Sequence, residues 1–184
     1  LVFINCDPSA ADFLVPLEHI REPLGAYDLA NAKVAHRQTY TIDANWKLVL
    51  ENYLECYHCA TSHREYAKLH TFKDLHENVA PIVEAMLEQS DEITGVSGMS
   101  TRYTRIYQDA EGFGACVHSM RYGLFDGNVT GSKGGQPVAP LMGNIKAYDG
   151  GAGDYQMGPL TFMLNYPDHC VLYRFLPKSL TETD

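Results

Sequence analysis

From Ala44 onward the apolar residues Trp46, Val49, Leu50, Tyr53, Leu54 and Tyr57 recur every three or four positions. That is the spacing of one face of an α-helix. This is the strongest helix the pattern predicts, and Asp43 stands before it as the expected N-cap. Ahead of it, "KVAHRQTYTI" at 33–42 alternates as a half-buried strand would, with Val34, Tyr40 and Ile42 on one face. The opening "LVFIN" reads as a strand from its Val, Phe and Ile content, and Asp7-Pro8-Ser9 then turns into a weakly amphipathic helical stretch ending before Pro23-Leu24-Gly25.

Beyond the long helix, residues 65–100 fit no single period, although "APIVEAMLEQS" is compatible with a helix. "TRYTRIYQDAEGFG" reads as a strand running into a turn. Most of the glycines fall in 123–158, and "GNVTGSKGGQPVAPLMGN" predicts a long loop over the surface or across a cleft. "LTFMLNY" and "CVLYRFL" flank Pro167-Asp168-His169 as the arms of a hairpin. Strands joined by hairpins around one long helix predict an α+β fold, an antiparallel sheet packed on that helix. No glycine-rich phosphate loop follows any strand, and no internal repeat is visible.

The length of 184 residues and the 45% hydrophobic content suit one domain with one substantial core. A net charge of −9 and a pI near 5.3 argue against a nucleic-acid surface, which needs clustered Lys and Arg. A small neutral or cationic ligand fits better. No run of eighteen apolar residues occurs, so no membrane span or targeting segment is expected. Five scattered cysteines do not make a secreted disulfide framework, and a reducing cytoplasm is the expected compartment. The chain starts on a hydrophobic strand and stops just after another, and it is read as an internal fragment.

The chemistry concentrates in "ENYLECYHCATSH", residues 51–63. On an ideal helix His58 and His63, five apart, point about 140° from each other. Unlike the four-residue spacing of a zinc HExxH helix, this one brings both to a single ion only if the helix ends, tightens or bulges between them. The small residues of "CATS" permit that, and Thr61 and Ser62 are suited to satisfying backbone groups there. Asn52, Glu55 and His58 step by three, so they touch in sequence along one stripe, with Glu55 placed to accept a ring N–H from a metal-bound imidazole. Spacing alone leaves alternatives open: structural or solvent-exposed histidines, a zinc centre built on Cys56 and Cys59, or two buried, unreactive thiols. Cys56 with His58 and Cys116 with His118 repeat half of a Rieske cluster's ligand set, but neither is followed by the second half. His19, His36, His70, His76, His118 and His169 lack a partner at ligand spacing and are read as surface or hydrogen-bonded side chains.

The string "ANWKLVLENYLECYHCATSH" resembles the catalytic domain of Rieske non-haem iron oxygenase alpha subunits. "NWK", "ECYHC" and "MGPLTFMLNYPDHCVLYRF" are most similar to the subgroup of choline monooxygenase, carnitine oxygenase and glycine-betaine or stachydrine demethylases. The resemblance covers essentially the whole chain and implies a helix-grip fold, incomplete here. It implies His58 and His63 as two ligands of a mononuclear Fe(II) in a two-His-one-carboxylate triad. Glu55 would be the bridge to the Rieske cluster of a neighbouring subunit, and Asn52 would sit near the iron. The third, carboxylate ligand is expected beyond Asp184. Asp168 sits in a turn signal and Asp149 and Asp154 in glycine-rich sequence, so none is supported as its substitute. Residues 1–184 would then be a fragment of the catalytic domain, lacking the N-terminal Rieske domain and the C-terminal part.

The implied reaction inserts oxygen from O2 into a small substrate, an N-methyl or quaternary ammonium compound, by hydroxylation or oxidative N-demethylation. Electrons would come from NAD(P)H through a flavin/iron–sulfur reductase and the [2Fe–2S] Rieske cluster, within a homotrimer. The fragment alone is expected not to turn over. Twelve Tyr, seven Phe and one Trp supply the aromatic faces a methylated cation needs. Tyr57, Tyr166 and Tyr173 lie in elements expected to line the core or cavity, and Trp46 is expected as a core anchor. The alternative is a non-catalytic helix-grip protein that carries a small ligand in its pocket.

Overall fold

A computed structural model describes residues 4, 6–70, 76–107, 116–125 and 127–184. Among these described residues six helices and five strands follow in the order α1 (Leu14–Glu18), α2 (Arg21–Gly25), α3 (Trp46–Leu54), α4 (Cys59–Ser62), α5 (Arg64–Leu69), α6 (His76–Thr94), β1 (Tyr103–Tyr107), β2 (Cys116–Gly123), β3 (Gly151–Met157), β4 (Thr161–Asn165) and β5 (Cys170–Arg174). The strands form one antiparallel meander in sequence order, so the architecture is α+β as the pattern predicts. No helix among the described residues is long and apolar enough to cross a membrane.

Strand alternation divides the sheet into two faces. On one, Val117, Tyr155, Met157 and Met163 are buried with Ile20 against Phe13, Leu17 and Leu24 of the α1–α2 segment. Arg121 of β2 lies on this face too and reaches the sulfur of Met86 on α6. The other face presents His118, Met120 and Tyr122 of β2, Asp154 and Gln156 of β3, Phe162 and Leu164 of β4, and Tyr173 of β5. Helix α3 lies across this second face through Tyr53, whose ring sits 4.7 Å from Phe162 and 5.2 Å from Tyr173.

The long loop between β2 and β3 is tied down by polar contacts. Asp168, in the β4–β5 turn, accepts hydrogen bonds from Thr130 Oγ1, the Val138 N–H (2.9 Å) and His169 Nδ1 (2.8 Å). Gly131 lies so close to the Tyr166 ring that a Cβ there would meet it at 2.1 Å, which is why the loop carries glycine at that point.

Several sequence expectations hold. Ser9 N–H donates to Asp7 Oδ1 at 2.8 Å in the Asp7-Pro8-Ser9 turn, "APIVEAMLEQS" lies inside α6, and Asn165 pairs with Cys170 at the base of the hairpin. Strand β1 matches "YTRIY", whereas the turn expected after it and the "LVFIN" strand fall largely outside the described residues.

Others need correction. The 33–42 segment is not a strand: Val34 is 83% and Tyr40 70% exposed, and its one ladder contact is Ile42 with Thr183. Alternation there has no sheet edge to pair with. Helical structure does not stop before Pro23-Leu24-Gly25: these are the last three residues of α2, where a first-turn proline has no hydrogen bond to lose. Asn45, not Asp43, caps α3, accepting from the Lys47 N–H at 3.0 Å. The helix then stops at Leu54 instead of running through Tyr57, which is 82% exposed and would have no surface to pack against. Trp46 is half-buried and so is no core anchor, and no residue of α3 is fully buried.

Candidate active site

The helix break after Leu54 builds the site. Glu55 takes an extended conformation (φ −87°, ψ 136°), the chain turns, and "CATS" forms the single helical turn α4 with His58 at its start and His63 at its end. The irregular backbone therefore lies on either side of "CATS" and not inside it. The hydroxyl of Thr61 donates to the His58 carbonyl at 3.0 Å and so secures the turn, as the sequence suggested for it. His63, at φ −120° and ψ 56°, redirects the chain into α5.

This path does what an unbroken helix cannot. His58 Nε2 and His63 Nε2 lie 3.2 Å apart with their rings at 72°. Glu55 Oε1 is 3.2 Å from His58 Nδ1. A neutral His58 that donates its Nδ1–H to Glu55 presents a lone pair at Nε2. With His63 in the tautomer that carries its proton on Nδ1, two Nε2 lone pairs converge on one point. Two imidazoles bound to one metal at about 2.1 Å and right angles have nitrogens about 3.0 Å apart, so the pair fits a shared ion. Among the described residues no group of three His, Cys, Asp or Glu side chains that could hold a metal ion occurs. Neither a zinc centre on Cys56 and Cys59 nor a carboxylate completing the histidine pair is therefore found there. Cys59 is buried as expected, but Cys56 is exposed.

The histidine pair opens onto a cavity of about 470 Å³ between α3–α5 and the second face of the sheet. Asn52 and Tyr53 of α3, Tyr66 of α5, and Tyr122, Phe162 and Tyr173 of the sheet line it. Of the tyrosines singled out in the sequence, Tyr173 is a wall residue, Tyr166 is buried beside it, and Tyr57 faces solvent. Tyr57 protrudes because the chain leaves the helix just before it.

Two further polar side chains, each with a buried atom that lacks a hydrogen-bond partner, reach the cavity. His118, read as an ordinary histidine, has a buried Nε2 without a hydrogen-bond partner, and burial followed by the charge of Arg105 holds its pKa below the usual histidine value. Asp154 is in strand β3, not in loop, and its Oδ1 is also buried without a partner. Burial pushes its pKa up to about 7, against a smaller opposing effect of the Tyr155 N–H. Glycine density in "GGAGDYQMG" masked this strand, although the Asp-x-Gln alternation with Tyr155 and Met157 on the other face was a legible signal. Of the other histidines, His19 and His36 are exposed, His70 bonds Tyr66 O and Tyr166 Oη, each at 2.7 Å, and His169 bonds Asp168, while the side chain of His76 lies outside the described residues.

The model of the ring hydroxylating alpha subunit (catalytic domain) family matches residues 29–184. The chain belongs to that family. Among similar ring-hydroxylating alpha subunits, the glycine betaine monooxygenase oxygenase subunit of Pseudomonas aeruginosa is 36% identical over 177 residues, covering 96% of this chain and 39% of its own length. The protein of the same name from Chromohalobacter salexigens is 27% identical over 188 residues, covering 96% of this chain and 38% of its own. The carnitine monooxygenase oxygenase subunit of Escherichia coli K12 is 41% identical over 68 residues, 34% of this chain and 17% of its own. The chain thus spans about two-fifths of the glycine betaine relatives.

Proposed function

We propose that residues 1–184 are part of the catalytic domain of an oxygenase that hydroxylates a methylated ammonium compound, with His58 and His63 as two ligands of a mononuclear Fe(II). The single observation that carries this is the convergence of their Nε2 atoms at 3.2 Å on the wall of an aromatic cavity. Membership of the ring-hydroxylating family and the 36% identity to a glycine betaine monooxygenase subunit support it. The helix-grip description follows from the same reading, with α3 laid across the sheet and the cavity between them. The Rieske domain would precede this segment, and the third, carboxylate ligand would follow Asp184.

An Fe(II) ion held there would supply O2 activation for hydroxylation of a substrate C–H bond. The residues of this chain prepare the site. Glu55 accepts the Nδ1 proton of His58 and so fixes the tautomer that offers Nε2 to a metal. Its side chain is 34% exposed, placing an acid between the histidine and the surface where a neighbouring subunit's Rieske cluster would dock. Asn52 turns toward the cavity beside the pair. Tyr53, Tyr122, Phe162 and Tyr173 exclude water and offer π-faces to methyl groups that carry partial positive charge.

One oxygen atom enters the substrate and the other leaves as water. The two electrons would come from NAD(P)H by way of a flavin/iron–sulfur reductase and a [2Fe–2S] Rieske cluster, and the protons from solvent. Hydroxylation of an N-methyl group gives a hemiaminal that collapses to formaldehyde and the demethylated amine. Electron passage between subunits would need an oligomer, a homotrimer by the family resemblance, and five thiols without a disulfide suit the cytoplasm. The 184-residue chain alone would not turn over.

The test is iron content of the complete subunit prepared without oxygen. His58→Ala and His63→Ala are each expected to lose the mononuclear iron while the Rieske signal stays. Iron indifferent to both substitutions would remove the metal centre and leave a small-ligand carrier as the reading.

A further inference from the structure

The cavity contains one carboxylate that the roles above do not use. Asp154 is the fourth of the seven residues of β3, the central strand of the sheet, and its cross-strand neighbours are Met120 on β2 and Leu164 on β4. Burying a carboxylate among such neighbours is costly unless something compensates. Among the described residues no cation pairs with it, and Oδ1 has no hydrogen-bond partner at all. Its charge reaches the hydroxyls of Tyr53, Tyr66, Tyr122 and Tyr173, each pushed further up by it. The acid thus sits inside an aromatic enclosure.

A quaternary ammonium group matches this combination. It has no N–H to donate, so hydrogen-bond geometry cannot select it, and diffuse positive charge must be met by π-faces and an anion. Within the described fold the Tyr155 N–H acts on this carboxylate, but Oδ1 is left facing the enclosure without a donor. We propose that Asp154 is the residue that selects a cationic substrate: its carboxylate is the counter-charge for a methylated ammonium group held between Tyr53, Tyr66, Tyr122 and Tyr173. This rests on the oxygenase reading and names the residue behind its substrate class. The elevated pKa of about 7 accords with it, because burial without a cation favours the protonated acid and a bound cation restores the carboxylate.

The decisive comparison is glycine betaine against 3,3-dimethylbutanoate, the same shape with carbon in place of nitrogen. Both are titrated calorimetrically into the complete, iron-loaded subunit without oxygen or reductant. The wild type is expected to prefer betaine at least tenfold. Asp154→Asn, nearly isosteric, should lose most of that preference while binding dimethylbutanoate as well or better, and Asp154→Ser serves if the first variant does not fold. Equal binding of the two ligands by the wild type, no binding of betaine, or a preference surviving in the variant overturns the proposal. Loss of iron in the histidine variants is read separately, so failure of the metal centre and failure of Asp154 are told apart.

Discussion

Asp149 and Asp154 stand five residues apart in sequence, and the fold treats them in opposite ways. The Asp149 side chain is fully buried and ion-paired with Arg121, which is 4% exposed, and its Oδ1 also accepts from the Gly151 N–H at 3.0 Å. That pair closes the sheet face covered by α1, α2 and α6. Asp154 faces the cavity, where no cation among the described residues meets it. A carboxylate answered by the protein serves the fold, whereas one left unanswered inside a cavity costs stability and is explained by what enters the cavity.

The sharpest way to break this comparison is to remove the partner from the first aspartate. Arg121→Ala leaves Asp149 buried and uncompensated, and is expected to cost about 3–5 kcal/mol. Asp154→Asn removes a buried charge that no cation among the described residues compensates, and should leave stability unchanged or raise it. Chemical denaturation of the complete subunit checks both, and equal losses in the two variants would erase the distinction.

The next effect is the pH dependence that Asp154 imposes. Its folded pKa, about 7, lies above that of an aspartate in the unfolded chain, so between the two values the folded state binds more protons. Stability therefore falls as pH rises through this window and levels off above about 7, by at most about 4 kcal/mol. Asp154→Asn should flatten this part of the profile of denaturation midpoint against pH.

Much of the architecture could be read from the chain. The helix through Trp46–Leu54 and the β4–β5 hairpin follow from periodicity and turn residues, and the break that the five-residue spacing of His58 and His63 required for them to meet falls after Leu54. What escaped has physical reasons. Period-two alternation at 33–42 says nothing of whether a partner strand exists, and none does beyond Ile42. Glycine-rich composition concealed β3, and with it the position of Asp154 on the cavity wall. Periodicity also cannot foresee that α3 stops before Tyr57, because that depends on where the sheet ceases to cover it.

Tyr166 provides the smallest and most local test of the same contrast, since it lies beside the cavity yet belongs to a satisfied polar group. His70, fully buried, donates its Nδ1–H to the Tyr66 carbonyl at 2.7 Å and receives the Tyr166 hydroxyl at Nε2, also at 2.7 Å. Burial holds its pKa near 4, so the ring is neutral at working pH and its Nε2 is an acceptor. Tyr166→Phe keeps the ring packed on Leu124, Ala152 and Leu164 but removes the donor to Nε2. The expected loss is about 1–3 kcal/mol, the cost of withdrawing one partner from a buried acceptor. Betaine binding should change little, because the Tyr166 hydroxyl is turned to His70 and the residue does not line the cavity. A Tyr166→Phe variant of unchanged stability but impaired betaine binding would reverse the assignment and make this tyrosine part of the ligand enclosure.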